Sequence, residues 1–255
     1  MIRKAVIPAA GLGTRFYPVT KAQPKEMLPI WNKPTIQYVV EELVASGITD
    51  ITIVTGRAKS SIENHFDKDP EFEEYMSQVF KANIFYTRQP KPRGLADALL
   101  WAEGHVINEP FAVALGDDII RSSTPCLTQL LGSYEKTNSP VVAVKLVDDR
   151  EASKFGIVEA ENYETSLFLI RKVIEKPVKI PSNYAVVGRY IFTPEIFDYI
   201  RKTNQNVEKG EVLLTDVITN LAQNRYVYAH KIEGDWFSIG DSQSLFRAWE
   251  ALKPS

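Results

Sequence analysis

Short apolar runs alternate with helical patterns through the first 140 residues, and this alternation restricts the fold more than any other feature. Residues 5–8, 51–54, 84–87 and 111–115 read as buried strands. Between the first two, Ile36, Val39, Val40, Leu43 and Val44 form one apolar stripe at helical spacing, with Pro34 at the start and Gly47 just past the end. The helical period returns at 95–106 and 125–136. Strands that alternate with helices pair in parallel, so this half is expected to be a doubly wound α/β unit. Beyond Ser139 the pattern turns strand-rich at 141–147, 156–159, 167–174 and 184–192. Helices follow at 194–202, 214–223 and 242–252, the order of an α+β arrangement. Neither a repeat nor a Ser/Gly-rich linker separates residues 1–140 from 141–255. The two halves are therefore expected to be lobes of one domain.

Composition excludes several functions. The 255 residues, 44% hydrophobic and 24% charged, suit a globular chain long enough to bury its own core. Thirty Lys and Arg against 32 Asp and Glu leave a net charge of −2. No global basic field draws nucleic acid or an acidic membrane, and any anion site must be local. Cys126 is the single cysteine, and His65, His105 and His230 are scattered. Neither a disulfide nor a zinc site is expected, which suits a reducing, cytoplasmic setting. No apolar run reaches the roughly 18 residues of a membrane span, and the apolar stretch after Met1–Lys4 is short for a secretion signal.

Chemistry concentrates first at Pro8-Ala-Ala-Gly-Leu-Gly-Thr-Arg-Phe-Tyr-Pro18, directly after the first strand. Glycines at 11 and 13 let successive amides, including that of Ala10, turn toward phosphate oxygens, while Thr14 and Arg15 add a hydroxyl and a forked cation. The same spacing suits a plain glycine turn at a strand end. Phe16 stands where a dinucleotide fingerprint needs its third glycine, and no Gly-Lys-Ser/Thr follows as a P-loop requires. Asp117 follows the strand 111–115, where a carboxylate faces the ligand crevice of an open sheet. It can hold a hard cation such as Mg²⁺, or Asp117 or Asp118 can cap the next turn.

The run from Gly11 through Lys25-Glu-Met-Leu-Pro29 resembles the signature of sugar-1-phosphate nucleotidylyltransferases, in the form seen in glucose-1-phosphate uridylyltransferases. Further matches fall in the family's order: Arg88-Gln89, Arg93-Gly-Leu-Ala-Asp-Ala98, Leu115-Gly-Asp-Asp-Ile119, Phe155-Gly-Ile-Val158, Glu175-Lys-Pro177, Gly188-Arg-Tyr190 and Gly210-Glu-Val-Leu-Leu-Thr-Asp216. The resemblance implies a Rossmann-like open mixed sheet flanked by helices, with a nucleotide-binding lobe and a smaller α+β sugar-binding lobe. It also implies Mg²⁺-dependent transfer of a uridylyl group from UTP to glucose 1-phosphate. Dimers or tetramers are common in the family, and Leu245, Phe246, Trp249 and Leu252 of the last helix form a possible contact face, or part of the core.

The roles follow from charge. The two substrates together carry about five or six negative charges, and one like-charged pair at 4 Å costs about 4 kcal/mol at an effective dielectric of 20. Arg15 and Lys25 are assigned to the triphosphate, Lys176 to the sugar phosphate and Asp117 to Mg²⁺. Gln89 and Gly94 are assigned to the uracil edge, and Gly156, Glu175 and Gly188 to the sugar. Two departures from the family stand out. Ser238 occupies the place of a second metal-binding aspartate, with Asp241 as its possible substitute, and Ala96-Asp97 stands where uridylyltransferases often carry Gly-His. A thymidylyltransferase using dTTP and a non-catalytic nucleotide-sugar binder are the competing readings. A dinucleotide oxidoreductase would need the missing glycine.

Overall fold

The computed structural model describes residues 1–57, 59–205 and 210–253. The first half runs β1 (Lys4–Pro8), β2 (Pro29–Ile30), β3 (Lys33–Pro34), α1 (Thr35–Ala45), β4 (Asp50–Thr55), α2 (Ser60–Phe66), α3 (Glu73–Met76), β5 (Asn83–Arg88), α4 (Leu95–Leu100), α5 (Glu103–Val106), β6 (Phe111–Ala114), β7 (Asp118–Arg121) and α6 (Cys126–Thr137). The second runs β8 (Val141–Leu146), α7 (Asp149–Ala152), β9 (Gly156–Asn162), β10 (Leu167–Glu175), β11 (Tyr184–Phe192), α8 (Ile196–Gln205), α9 (Leu214–Ala222), β12 (Tyr228–Lys231), β13 (Asp235–Ser238) and α10 (Ser242–Ala251).

Nine strands form one sheet in the order β5-β4-β1-β6-β11-β8-β12-β10-β9. The first four are mutually parallel, as the alternation predicts. β11 then lies antiparallel to both β6 and β8, so the sheet is mixed and continues without a break from one half of the chain into the other. Alternation along each strand feeds two cores on opposite faces. Val6, Val113 and Val142 enter one, while Ala5, Ile7, Ala112 and Ala114 enter the other. The stripe of α1 (Ile36, Val39, Val40, Leu43) is fully buried in the second core, and Gly47 follows the helix at φ 87°.

Two expectations need correction, and several elements are additional to those expected. The strand predicted at 84–87 is not buried: β5 is an edge strand and its residues are half-buried or exposed. The helix predicted over 95–106 is two short helices, joined where Trp101 and Ala102 donate to Ala98 and Leu99. The ribbon of β7 and β13, the short β12, and helices α2 and α3 have no counterpart among the predicted elements. No helix among the described residues is long and apolar enough to cross a membrane.

β1 hydrogen-bonds to β4 on one side and to β6 on the other. The loops leaving β1 and β6 therefore rise side by side at their carboxyl ends, where open α/β sheets gather ligands.

Candidate active site

A cleft of about 960 Å³ opens over those strand ends. It lies at the upper end of the roughly 300–1,000 Å³ usual for ligand sites. Every residue assigned a role from the sequence lines it: Ala10, Gly11, Gly13, Thr14, Arg15, Lys25, Gln89, Gly94, Asp117, Gly156, Glu175, Lys176, Gly188 and Asp241.

The glycine loop forms one wall. The Ala9 amide still extends the sheet by donating to the Val54 carbonyl (2.8 Å). The next four amides, from Ala10 to Gly13, find no backbone acceptor among the described residues. Such unspent donors are what a phosphate cradle needs. Gly13 is the conformationally demanding position, at φ 64°, where a Cβ would press to 3.2 Å on Lys25 and Thr20. Gly11 meets no such limit, since its nearest neighbour would be Lys25 at 3.9 Å. Thr20 Oγ1 donates to the Gly13 carbonyl (2.6 Å) and Phe16 is buried beside Leu28, Ile30 and Ile239. These contacts fix the loop while Thr14 and Arg15 stay exposed in the cleft.

Charged pairs form the floor. Lys25 Nζ donates to Asp117 Oδ2 in a very short contact. Burial opposes the Lys25 charge, but Asp117, Glu26 and Asp118 outweigh it and hold the ammonium above its ordinary range. Glu26 lies beneath, paired with Lys59 (2.9 Å) and almost completely buried. Burial raises the Glu26 carboxyl above its usual range, against the pull of both lysines. Asp118 faces inward and accepts from Trp236 Nε1 (2.9 Å). Burial, then repulsion from Asp117, pushes Asp118 up to about 6. Behind this turn Arg189, fully buried, pairs with Glu42 (2.8 Å) and donates to the carbonyls of Gly188 (3.1 Å), Leu115 (3.4 Å) and Asp118 (2.9 Å). That guanidinium fixes the backbone on both sides of Asp117.

Several assigned glycines are also required by the packing of the protein itself. A Cβ at Gly94 (φ 98°) would meet the Val212 carbonyl at 2.8 Å, and one at Gly156 would meet Thr215 at 2.8 Å. One at Gly188 would run into the Asp118 carboxylate and Leu115. Each close approach is between protein segments. On the far wall, Glu175 ends β10 opposite Gly156 of β9, and its carboxylate is 3.4 Å from Lys176 Nζ. Lys176 adopts φ 41°, rare for a side-chain-bearing residue, and its amide donates to Phe155 (3.0 Å).

Asp241 is the N-cap of α10. Its carboxylate accepts from the Ser244 amide (2.8 Å), and Ser244 Oγ accepts in return from the Asp241 amide (3.0 Å), a complete capping box. The Ser244 amide, helped by Arg15 nearby, lowers the Asp241 carboxyl below its usual range. Ser238 pairs with Asp118 across the β13–β7 ribbon and adds no carboxylate. Among the described residues no group of three or more His, Cys, Asp or Glu could hold a metal on its own. Reasoning from the sequence missed Lys145, Lys154 and Arg247, which bring further positive charge to the cleft wall, and the buried pairs beneath it. One signal was available: Arg189 interrupts an otherwise uncharged nine-residue strand.

A family model for nucleotidyl transferases matches residues 4–254, and the chain belongs to the nucleotidyl transferase family. The resemblance drawn from the Gly11–Pro29 run and the later matches is borne out over nearly the whole chain. A UTP–glucose-1-phosphate uridylyltransferase of Bacillus subtilis is 47% identical over 255 residues, covering 94% of this chain and 87% of the relative. The crystal structure of a UDP-glucose pyrophosphorylase complexed with UDP-glucose superposes with a TM-score of 0.93 at 38% identity, over 98% of each chain. A UTP-bound UGPase from Acinetobacter baumannii gives a TM-score of 0.87 at 33% identity, over 98% of this chain and 93% of that one. The expected Rossmann-like mixed fold is thereby established, and the chain is a nucleotidyltransferase.

Proposed function

We propose that the chain transfers the uridylyl group of UTP to glucose 1-phosphate, releasing pyrophosphate and forming UDP-glucose. The observation that carries this reading is a single cleft joining the unspent amides and Arg15 of the glycine loop to Glu175 and Lys176 on the far wall, with Lys25 and Asp117 between them. Residues 1–140 then act as the nucleotide lobe and 141–255 as the sugar lobe of one unit.

In this reading the amides from Ala10 to Gly13 and the Thr14 hydroxyl receive the triphosphate. Arg15 and Lys25 neutralise the charge that accumulates on the departing pyrophosphate. Gln89 and Gly94 border the base, Gly156, Glu175 and Gly188 border the hexose, and Lys176 steers its phosphate. A phosphate monoester with a second pKa near 6 is already a dianion at about pH 7, so no general base is needed. Its oxygen bonds to the α-phosphorus as the bond from that phosphorus to the β-bridging oxygen breaks, and pyrophosphate leaves with that electron pair. Positioning and electrostatics do the rest.

The donor set suits a magnesium ion, which takes one or two carboxylates and fills its octahedron with phosphate oxygens and water. Asp117, whose Oδ1 is left free by the Lys25 contact, would be the principal holder, with Asp241 second because its carboxylate is already engaged at the helix cap. When bound, the ion supplies charge neutralisation and orientation of phosphate oxygens. The reading extends to a cytoplasmic homo-oligomer. Exposed Phe246, and Trp249 stacked on Trp31 at 3.8 Å, are the α10 aromatics available to a second copy, whereas Leu245 and Leu252 pack inward.

The test is pyrophosphate release with UTP, dTTP, CTP, ATP and GTP, each crossed with glucose, galactose and N-acetylglucosamine 1-phosphates. UTP with glucose 1-phosphate is expected to give the highest kcat/KM. Faster turnover with dTTP would favour the thymidylyl reading, because one methyl group is worth only about 1–3 kcal/mol. No release from any pair would leave a nucleotide-sugar binder.

A further inference from the structure

We infer that Asp97 is a positioning residue for base selection: it fixes the Gln89 side-chain amide in the one orientation that accepts from an imide N–H and rejects cytosine. The inference rests on the uridylyl reading above and names the group that makes it selective.

Gln89 follows β5, and its backbone amide donates to the Thr55 carbonyl (2.9 Å), adding one rung to the β4–β5 ladder. The residue is 4% exposed, at the cleft wall. Nε2 donates to Asp97 Oδ2 (2.7 Å) and to the Gly94 carbonyl (3.2 Å). Both hydrogens of the amide nitrogen are thereby used. Asp97, in the first turn of α4, is itself 7% exposed. An ionised carboxylate and a carbonyl only accept. Turning the Gln89 amide over would place its oxygen against two acceptors in a nearly dry setting, so the orientation is chemically determined. Gly94 is equally fixed, by φ 98° and by the Val212 backbone against it.

The Gln89 carbonyl, with no hydrogen-bond donor among the described residues, is what remains for a ligand. Uracil and thymine offer N3–H, a donor that this oxygen can accept. Cytosine offers a bare N3, so two acceptors would face each other. A lone glutamine presents either end of its amide and cannot separate these bases. A glutamine locked by Asp97 can.

The experiment compares kcat/KM for UTP, dTTP and CTP in wild type and in D97N, with thermal unfolding as the check on folding. The carboxamide that this substitution puts in place of the carboxylate can donate as well as accept, so the closer of the two contacts that oppose the inverted Gln89 amide is lost and only the Gly94 carbonyl, at 3.2 Å, still stands against it. The UTP-to-CTP ratio is expected to fall at least tenfold, while the UTP-to-dTTP ratio stays within twofold because thymine keeps the same imide edge. D97S, smaller and also able to donate, carries the same expectation should D97N not fold. An unchanged UTP-to-CTP ratio in a folded variant overturns the inference, as does an equal loss with all three nucleotides, which would make Asp97 merely structural. A wild-type enzyme that does not prefer UTP to CTP would overturn the base-recognition reading itself, and that outcome appears before any variant is made.

Discussion

Lys25 and Asp117 share one contact at the centre of the cleft, and the carboxylate helps to hold the Lys25 ammonium above its ordinary range. Replacing Asp117 by Asn removes the charge but keeps the shape. Turnover is expected to drop by about 10²–10³-fold, the usual effect of deleting one group that stabilises developing charge. The thermal midpoint should fall as well, because the substitution leaves the Lys25 ammonium without the carboxylate that offsets its burial. Magnesium-dependent pyrophosphate release at the wild-type rate in D117N would remove Asp117 from the metal site. The residues that hold this centre in place were harder to read than the centre itself. Lys25 and Asp117 stand in recognisable local runs. Their supports are paired across the chain, Lys59 to Glu26 over 33 positions and Arg189 to Glu42 over 147, and no local pattern encodes such a contact.

Among the elements, α10 carries the clearest double meaning. Asp241 lines the cleft and also starts the helix. Loss of an N-cap costs about 1 kcal/mol. D241A is therefore expected to lower stability by roughly that amount in urea titration. If the cap is its whole role, the Mg²⁺ concentration giving half-maximal turnover will not change. A several-fold rise in that concentration would make Asp241 a ligand as well. The strands and helices with strong periodicity were legible because burial dictates their composition: α1, β1, β4, β6 and β11 all follow the expected pattern. The β7–β13 ribbon was not. Its strands, Asp-Ile-Ile-Arg and Asp-Trp-Phe-Ser, are four residues long and each sets only two apolar residues between polar ones, so neither alternation nor an apolar run marks them. Asp241 carries two meanings for a related reason, since a carboxylate just after a glycine suits a helix cap and a metal equally well.

At the scale of the whole molecule, two cores share one sheet, and titratable side chains on their borders couple stability to pH. Burial lowers the pKa of His65, and burial together with Lys136 lowers that of His230 against the opposing effect of Glu233. His230 Nδ1 also sits 2.8 Å from Ser133 Oγ. In the unfolded chain both imidazoles regain a pKa near 6.5. Between that value and their lower folded values the unfolded state binds more protons, so their contribution to stability is complete above it and declines as pH falls. Asp118, raised to about 6, acts in the opposite sense, because the folded state takes up its proton first. The histidine share is therefore read as a difference. Unfolding free energy should drop less between pH 7.5 and 5.5 in H65Q/H230Q than in wild type, and equal drops would show that neither imidazole matters.

β11 hydrogen-bonds to β6 on one side and to β8 on the other. No hinge can therefore run between the halves of the chain without tearing backbone ladders. At the margin, half-buried Glu151 of α7 reaches Arg247 of α10 at 3.2 Å, and such tethers are weak enough to exchange. The enzyme is thus a table laid out once, when the sheet forms, and ligands must fit the surface that it presents.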